Sequence, residues 1–362
     1  MLKLNSNLEN LPVYQPGRPI EEVAREMGLP FSDVAKLASN ENPLGPSPAA
    51  QAAMKNAIST CNLYPDGNSF YLKRRLSEKF EVSEDQIILG NGSNELIEFV
   101  AHALLGPADN IVVSEYCFAI YPIVAKLFGG SVVTVPAVDY GSDLEAMAGA
   151  ITPETKIVFL ANPNNPTGTL ANAKSVEKLI ERVPANVLLI IDEAYIEYLD
   201  DPQDLLPLIR SGEMPNLMLM RTFSKIYGLA GLRIGYGFGS SELVRALEKI
   251  RQPFNSNLLA QAAAVAALGD EDHVVQSRKL NRTELDRYET ACRDHGWEFV
   301  PSFANFILMR VGDGAGVYQK LLEKGIITRP MAGYQLPEWL RISVGKPEEN
   351  SRCLKALEEI MS

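Results

Sequence analysis

Short aliphatic runs alternate along most of the chain with longer segments whose apolar side chains recur at helical spacing. Seven of these runs are bounded by Gly, Pro, Asn or Asp and are predicted as strands: 87–89, 111–113, 131–135, 157–160, 187–191, 217–220 and 234–238. Helical patterns such as 93–105 and 173–182 lie between them. Apolar strands that alternate with helices predict an α/β fold in which a mostly parallel, seven-stranded sheet is covered by helices on both faces.

The last third of the chain has a different pattern, which predicts a smaller α+β unit. An Ala/Leu-rich stretch from Ser256 and a long charged segment at 270–295 favour helices. A strand, a helix, a strand and a final helix follow, the first three at 306–310, 315–324 and 340–344. Pro253 would interrupt a helix near the boundary. We therefore expect three parts: an N-terminal arm with a short helix at 1–38, a large domain at 39–254 and a small domain at 255–362.

Composition and charge narrow the possible function classes. The 362 residues include 34 Lys and Arg against 45 Asp and Glu, and the net charge of −11 argues against a protein that coats nucleic acid. The N-terminal residues lack the apolar run of a signal peptide, and no stretch approaches the ~18 apolar residues of a membrane helix. Four scattered cysteines predict reduced thiols in a cytoplasmic protein, and three isolated histidines argue against a metal site.

Two loops that follow predicted strands carry candidate ligand-binding groups, because ligands of open α/β sheets bind beyond the carboxyl ends of the strands. The turn at 90–95, GNGSNE, opens a helix, and its small residues let backbone N–H groups approach an anion at the helix N-terminus. The loop at 162–168, NPNNPTG, is made rigid by two prolines and presents asparagine side chains. Each loop, taken alone, is also compatible with an ordinary structural turn.

An acid at a strand end and a lysine in a loop complete the candidate chemistry. Asp192 ends an apolar strand, where a carboxylate needs a cationic partner, although a helix-capping or Mg²⁺-binding acid would also fit. Lys225 lies in a Ser/Tyr/Gly loop, where desolvation and the nearby Arg221 and Arg233 are expected to lower its pKa and make it a nucleophile. An anion cradle, an acid, an amide and such a lysine suit pyridoxal phosphate, which joins the lysine as a Schiff base while the acid keeps the ring nitrogen protonated.

Further motifs, distributed over nearly the whole chain, carry a family resemblance. They are YQPGRP at 14–19, LASNENPLGP at 37–46, YPDG at 64–67, the glycine turn, the NPNNPTG loop, DEAY at 192–195, SKIYGLAGLRIGY at 224–236 and LRISVG at 340–345. With these motifs the chain resembles the fold-type-I pyridoxal-phosphate aminotransferases, and most closely their histidinol-phosphate aminotransferase branch. The lysine loop and NPNNPTG are specific for the superfamily, whereas LASNENPLGP and the N-terminal motif point to the branch.

The resemblance implies a set of cofactor-binding residues. Lys225 would be the Schiff-base lysine and the proton shuttle, and Asp192 would bind the pyridine nitrogen. Tyr195 and Asn165 would bind the ring hydroxyl oxygen. The phosphate would be held by Ser93, Asn94, Ser224 and Arg233, joined by Tyr64 from the other subunit of a homodimer.

The resemblance also implies which residues contact the ring face and the substrate. Phe118 would stack on the ring, although Tyr116-Cys117 stand before it where the family usually has Pro-Thr. Arg341 would bind the substrate α-carboxylate through two parallel hydrogen bonds, and Asn165 would also contact the substrate. Arg329 would lie near the substrate phosphate. Tyr14 would close over the substrate from the N-terminal arm, which is expected to pack with the small domain and the partner subunit.

The implied activity is amino transfer between L-histidinol phosphate and 2-oxoglutarate, which gives imidazole-acetol phosphate and L-glutamate in histidine biosynthesis. The alternatives are an aromatic aminotransferase of the same branch that acts on phenylalanine or tyrosine, a decarboxylase of threonine phosphate, and an idle binding protein with the same fold. Arg329 favours a substrate phosphate over an apolar ring. The presence of both Lys225 and Asp192 argues against an idle protein.

Overall fold

The computed structural model describes residues 2–9 and 11–362. Its strands, numbered in chain order, are β1 (Ala35–Lys36), β2 (Ile87–Gly90), β3 (Asn110–Ser114), β4 (Ser131–Val135), β5 (Thr155–Ala161), β6 (Leu188–Asp192), β7 (Leu217–Thr222), β8 (Gly235–Phe238), β9 (Phe299–Val300), β10 (Phe306–Arg310), β11 (Ile326–Ile327), β12 (Arg329–Pro330) and β13 (Trp339–Ser343). Its α-helices are α1 (Ile20–Met27), α2 (Pro48–Ala57), α3 (Phe70–Phe80), α4 (Ser93–Leu104), α5 (Ile120–Leu127), α6 (Leu144–Gly149), α7 (Ala173–Arg182), α8 (Leu206–Ser211), α9 (Ser241–Glu248), α10 (Leu258–Ala267), α11 (Glu271–His295), α12 (Gly314–Glu323) and α13 (Pro347–Met361). Within these described residues, no helix combines the length and the apolar content that a membrane span requires.

The largest sheet runs in the order β2-β8-β7-β6-β5-β3-β4, which confirms the predicted seven-stranded, mostly parallel architecture. The five strands β4, β3, β5, β6 and β7 are parallel to one another, and β8 runs antiparallel to β7 and β2. All residues of β6 and β7 are buried, which explains why 188–191 and 217–220 are continuously apolar and do not alternate. Leu219 and Met220, at successive positions of β7, belong to two separate hydrophobic cores, so helices cover both faces.

A four-stranded antiparallel sheet, in the order β12-β13-β10-β9, forms the centre of the smaller α+β unit. Its core contains Ile307 and Leu340 from the sheet and Leu354 from α13. β1 pairs with β11 in a parallel two-stranded sheet, which joins the segment before α2 to this unit. The predicted strand at 306–310 is confirmed, and the predicted strand at 340–344 begins and ends one residue earlier.

Helix α10 follows the predicted domain boundary but packs with the large sheet. Its Ala260 and Ala264 belong to the hydrophobic core that contains Leu219, and the helix contacts α2. Helix α11 then spans both units, because Val274 belongs to the core of the large sheet and Tyr288 to the core of the small one. The domain division between residues 254 and 255 stays a prediction, and the packing of α10 favours a boundary that follows this helix.

Candidate active site

A cavity of ≈ 240 Å³ lies at the carboxyl ends of β5, β6 and β7, where ligands of open α/β sheets bind. The predicted site residues that line it are Tyr14, Ser93, Asn94, Phe118, Asn165, Asp192, Tyr195, Ser224, Lys225, Arg233, Arg329 and Arg341. Tyr64 is the predicted residue that does not line it: this side chain is 82% exposed and stacks on Phe254 with ring centroids 4.6 Å apart. One cavity thus brings together residues that are up to 327 positions apart in the sequence, from Tyr14 to Arg341.

Asp192, the last residue of β6, is buried at the wall of this cavity. Its Oδ2 accepts a hydrogen bond of 2.7 Å from the Tyr121 hydroxyl, and its Oδ1 accepts one of 3.1 Å from the Ala194 N–H. Burial raises the pKa of Asp192 to about 6, and the hydrogen bond from Tyr121 is the largest opposing effect. Neither of these donors carries a positive charge, so the carboxylate is suited to a cationic ligand.

Lys225 lies in the loop that follows β7, and its amine reaches the cavity. The Nζ donates a hydrogen bond of 3.2 Å to the Ser39 carbonyl and lies 5.6 Å from the centroid of the Tyr195 ring. Burial lowers the pKa of Lys225 to about 7, and the positive charge of Arg341 acts in the same direction. An amine with such a pKa is partly unprotonated at neutral pH and can act as a nucleophile or a base.

One expectation about the surroundings of Lys225 is wrong. Arg221 was expected beside the lysine, but its Nε donates a hydrogen bond of 2.7 Å to Glu193, and both side chains are buried. Successive residues of a strand point to opposite faces of the sheet, and Arg221 lies on the face away from the cavity. The cations that lower the pKa of Lys225 are Arg341 and Arg233.

The N-terminus of α4 and the loop after β7 form a cradle for an anion. Ser93 and Asn94 are the first residues of the helix, so their N–H groups have no partner within it. Arg233 Nη1 donates a hydrogen bond of 3.1 Å to Ser224 Oγ across the cradle. Gly92 has a φ of 80°, and a Cβ at this position would lie 2.2 Å from Arg233 Nη2. Glycine is therefore required here if the guanidinium is to face the helix N-terminus.

Arg341 of β13 is fixed at the opposite wall by two hydrogen bonds. Its Nη1 donates to Asn165 Oδ1 over 2.6 Å, and its Nη2 donates to the Ala38 carbonyl over 2.9 Å. Its Nε is buried and has no hydrogen-bond partner among the described residues. A guanidinium has five N–H groups, so Arg341 keeps donors for an anion while its position is held.

Arg329 lies beside Arg341, because the two residues are directly paired across the antiparallel strands β12 and β13. Side chains that oppose each other in this way share one face of a sheet, and like charges at such positions repel. The guanidinium carbon of Arg329 lies 5.8 Å from the centroid of the Tyr14 ring. Two adjacent cations that line one cavity are suited to a ligand with more than one negative charge.

Tyr121, Asn40 and Tyr334 are among the residues of the cavity that sequence reasoning did not single out. Asn40 Nδ2 donates a hydrogen bond of 2.9 Å to the hydroxyl of Tyr195, whose pKa burial raises to about 12. Tyr121 stands three residues after Phe118 and packs edge-on against it, with ring centroids 5.7 Å apart. Asn40 lies within the LASNENPLGP motif, which is a signal of family membership but does not indicate a contact with Tyr195.

Comparisons with known proteins agree on one family. Residues 32–357 match the family described as aminotransferase class I and II. The chain is 47% identical over 358 residues to the histidinol-phosphate aminotransferase of Akkermansia muciniphila, and this similarity covers 99% of the chain and 98% of that protein. It is 50% identical over 352 residues to histidinol-phosphate aminotransferase 1 of Cupriavidus pinatubonensis, with coverage of 96% and 94%.

A solved structure extends the similarity to three dimensions. The histidinol-phosphate aminotransferase of Sinorhizobium meliloti, in complex with pyridoxal-5′-phosphate, superimposes on the chain with a TM-score of 0.90. The two sequences are 30% identical, and the match covers 100% of this chain and 98% of that one. The agreement therefore includes both the large sheet and the smaller unit.

Proposed function

The chain belongs to the class I and II aminotransferase family, and on that premise we propose that it transfers an amino group between L-histidinol phosphate and 2-oxoglutarate. The products are imidazole-acetol phosphate and L-glutamate, and the reaction is a step of histidine biosynthesis. One observation carries the proposal: a half-buried lysine of lowered pKa, a buried carboxylate and two adjacent arginines line the same cavity.

The cofactor of this activity is pyridoxal 5′-phosphate, and the residues of the cavity fit it. The phosphate would be held by Ser93, Asn94, Ser224 and Arg233. The close approach of Gly92 to Arg233 supports this assignment, because it leaves both the helix N-terminus and the guanidinium free of side-chain obstruction. Asp192 would bind the ring nitrogen, Tyr195 and Asn165 the ring hydroxyl oxygen. When bound, the cofactor supplies a cationic ring that accepts the electron pair left by removal of a substrate proton.

Lys225 performs the proton transfer in the proposed reaction. Because burial holds its pKa at about 7, a substantial fraction of Lys225 carries no proton at neutral pH. The neutral Nζ removes the proton from the carbon that bears the amino group of the donor, and the protonated Nζ returns it when the oxo acid is the acceptor. The Ser39 carbonyl orients this amine through its hydrogen bond.

The two arginines of the smaller unit would bind the acidic groups of the substrates. Arg341, which Asn165 and the Ala38 carbonyl hold in place, would take the α-carboxylate of glutamate. Arg329 would take the phosphate of histidinol phosphate, since a phosphate dianion compensates the repulsion between these two cations. Tyr14 would cover the substrate, and its ring already packs near Arg329.

A donor comparison tests the proposal. The protein loaded with pyridoxal phosphate is given 2-oxoglutarate together with L-histidinol phosphate or with phenylalanine, and glutamate formation is measured. We expect the higher kcat/KM for histidinol phosphate, and no turnover above background for the Lys225→Ala control.

The other outcomes of this assay correspond to the competing functions. A higher kcat/KM for phenylalanine or tyrosine would favour an aromatic aminotransferase. Release of CO₂ from threonine phosphate, without glutamate formation, would favour a decarboxylase. An absence of turnover with every donor, in protein that binds the cofactor, would favour an idle binding protein.

We also propose a homodimer in which Tyr64 completes the phosphate cradle of the partner subunit. The exposure of Tyr64 and of the nearby aromatic residues Phe70, Tyr71 and Phe254 supports an interface here. Mixing the Lys225→Ala and Tyr64→Ala variants should restore activity above the sum of the two, because one site of each mixed dimer keeps both native residues. A monomer in analytical ultracentrifugation, or no gain of activity on mixing the two variants, would contradict this proposal.

A cytoplasmic location is a further prediction, which cell fractionation would test.

A further inference from the structure

The backbone and side chains of residues 38–40 contact three groups of the candidate site in succession. The Ala38 carbonyl accepts from Arg341 Nη2 over 2.9 Å, and the Ser39 carbonyl accepts from Lys225 Nζ over 3.2 Å. The third contact is the only one made by a side chain: Asn40 Nδ2 donates to the Tyr195 hydroxyl over 2.9 Å. Asn40 is therefore the position at which a substitution can change the surroundings of one site residue without removing the backbone contacts of the other two.

Asn40 is held in place by its own contacts with the smaller unit. It is 1% exposed, and its φ of 56° lies in the left-handed region that asparagine tolerates better than most residues. Its N–H donates to Ser343 Oγ over 2.8 Å, and its carbonyl accepts from Asn305 Nδ2 over 2.9 Å. These bonds join the residue to β13 and to Asn305, the residue that precedes β10.

The contact with Ser343 also determines which end of the Asn40 amide faces Tyr195. Ser343 Oγ accepts the Asn40 N–H, so its own hydrogen is donated to Asn40 Oδ1, which lies 2.8 Å away. The amide nitrogen is then the atom that faces Tyr195, and the phenol oxygen is the acceptor in that hydrogen bond. Consequently the hydrogen of the Tyr195 hydroxyl is not used by Asn40 and is available to another acceptor.

We propose that Asn40 is a positioning residue that keeps the Tyr195 hydroxyl oriented as a donor toward the ring oxygen of the cofactor. The inference rests on the proposed function, because that function supplies the acceptor. The ionisable groups around Tyr195 are Arg341, Asp192, Tyr334, Tyr121 and Tyr198, and Lys225 Nζ lies 5.6 Å from the centroid of its ring. A hydrogen bond from Tyr195 stabilises the ring oxygen in its anionic form, so it lowers the pKa of the cofactor when this is joined to Lys225.

The pH dependence of the visible absorption of the lysine-linked cofactor measures this effect directly and does not require turnover. Asn40→Gly removes the amide without backbone strain, because glycine adopts positive φ freely. We expect its absorption midpoint to rise by about 0.5 to 1 pH unit relative to the native protein, as the loss of one oriented hydrogen bond predicts. Asn40→Asp should raise the midpoint further, because a carboxylate accepts the Tyr195 hydrogen and adds negative charge.

Two comparisons separate positioning from a general structural effect. Asn42 is a buried asparagine of the same segment whose amide donates to the Ile226 carbonyl and Ser277 Oγ, and Asn42→Ala should leave the midpoint unchanged even if it lowers stability. Tyr195→Phe should raise the midpoint at least as much as Asn40→Gly. In the Tyr195→Phe background, Asn40→Gly should cause no further rise, because its effect acts through the hydroxyl.

The outcomes distinguish this inference from the proposed function. If Tyr195→Phe raises the midpoint while Asn40→Gly and Asn40→Asp leave it at the native value, the role of Asn40 is refuted and the proposed function stands. A full additional rise on Asn40→Gly in the Tyr195→Phe background also refutes it. If the native protein develops no lysine-linked absorption with pyridoxal phosphate, the proposed function fails, and this inference fails with it. Should the glycine variant not fold, Asn40→Asp is measured with and without Tyr195→Phe: its rise should be larger when the hydroxyl is present, and an equal rise in both backgrounds, which the added charge alone would cause, refutes the role of Asn40.

Discussion

Two buried carboxylates follow one another at the end of β6 and have different surroundings. Asp192 lines the cavity and accepts hydrogen bonds from the Tyr121 hydroxyl and the Ala194 N–H, neither of which is charged. Glu193 accepts a hydrogen bond of 2.7 Å from Arg221 on the other side of the sheet. Burial raises the pKa of both acids, but the charge of Arg221 opposes the effect only at Glu193.

This difference shows that burial of an acid does not by itself identify a functional group. The pair of Glu193 and Arg221 is complete within the protein, as expected for a structural ion pair. The charges on the cavity side are not neutralised in the same way: Lys225 has a lowered pKa, and Arg329 and Arg341 oppose each other across two strands. Unmatched buried charge is unfavourable unless a ligand supplies the missing partner.

Replacing the amine on the cavity side should have the largest effect on activity. Lys225→Ala removes the proposed base and the covalent attachment point, so we expect kcat to fall by at least about 10³-fold. Its absorption spectrum should still report non-covalent binding of the cofactor. Lys324→Ala is a matched control, because this lysine is exposed and pairs with Glu359 on the surface. Turnover of Lys225→Ala at the native rate would overturn the assignment of the lysine.

Changing each of the two adjacent acids to its amide compares the two sides of the sheet directly. Glu193→Gln removes the anion that is hydrogen-bonded to the buried Arg221, so the free energy of unfolding should fall by about 3–5 kcal/mol. The folded fraction should keep a kcat within a few-fold of the native value. Asp192→Asn removes a carboxylate that burial disfavours, so it should preserve or increase the stability of the cofactor-free protein while it abolishes turnover.

The measurements for this pair are denaturant unfolding at neutral pH and kcat on the same preparations. We expect Glu193→Gln to lose stability but keep its turnover, and Asp192→Asn to keep its stability but lose turnover. A large loss of stability in Asp192→Asn, or a loss of turnover in folded Glu193→Gln, would show that the two sides are not separated as the structure suggests.

Much of the fold and part of the candidate site could be predicted from local pattern, whereas Phe118, Arg329 and Arg341 were identified only through the family resemblance. Continuous apolar runs predict β6 and β7, and the acid or lysine that follows such a run must lie at a sheet edge. Asp192 and Lys225 were accessible in this way. Arg221 was misassigned because proximity in the sequence was taken as proximity in space, although the two-residue period of a strand turns this side chain to the opposite face.

Contacts between distant segments were not accessible from the pattern. The bond from Asn40 to Tyr195 spans 155 positions, and the bond from Tyr121 to Asp192 spans 71. Neither has a signature in local periodicity, since both depend on how helices and loops pack over the sheet. The place of α10 was missed for a similar reason, because an Ala-rich helix can pack against either unit.

Removing one of the two adjacent arginines, Arg329 and Arg341, should change donor preference. Arg329→Ala should lower kcat/KM for histidinol phosphate by at least about 30-fold, which corresponds to the lower end of about 2–5 kcal/mol for one buried charged hydrogen bond. Its effect on glutamate should be much smaller, because Arg341 remains. Arg310→Ala is the control, since Arg310 of β10 in the same sheet is satisfied by Glu298 and Glu338 at the surface. Equal losses for both donors would assign Arg329 to another role.

The smallest expected effect concerns the hydrogen bond that partly compensates Asp192. The pKa of this acid rises from 3.8 to about 6 on folding, so its contribution to stability is complete below the lower value and is lost as the pH rises through the higher one. Tyr121→Phe removes a hydrogen bond that favours the charged form, and the folded pKa should rise further. In the cofactor-free protein, this variant should therefore be less stable than the native chain above about pH 6, by about 1–2 kcal/mol.

That difference between Tyr121→Phe and the native chain should shrink as the pH falls, because the protonated acid has less need of the donor. Unfolding by denaturant at several pH values from about 5 to 8 measures it. The Asp192→Asn background is the matched control, since there the effect of Tyr121→Phe should not depend on pH. If the effect were equally independent of pH in the chain with Asp192, the hydroxyl of Tyr121 would not be tuning this carboxylate. The cavity-side acid would then depend on the Ala194 N–H and on its ligand for compensation, which would make its contrast with Glu193 sharper.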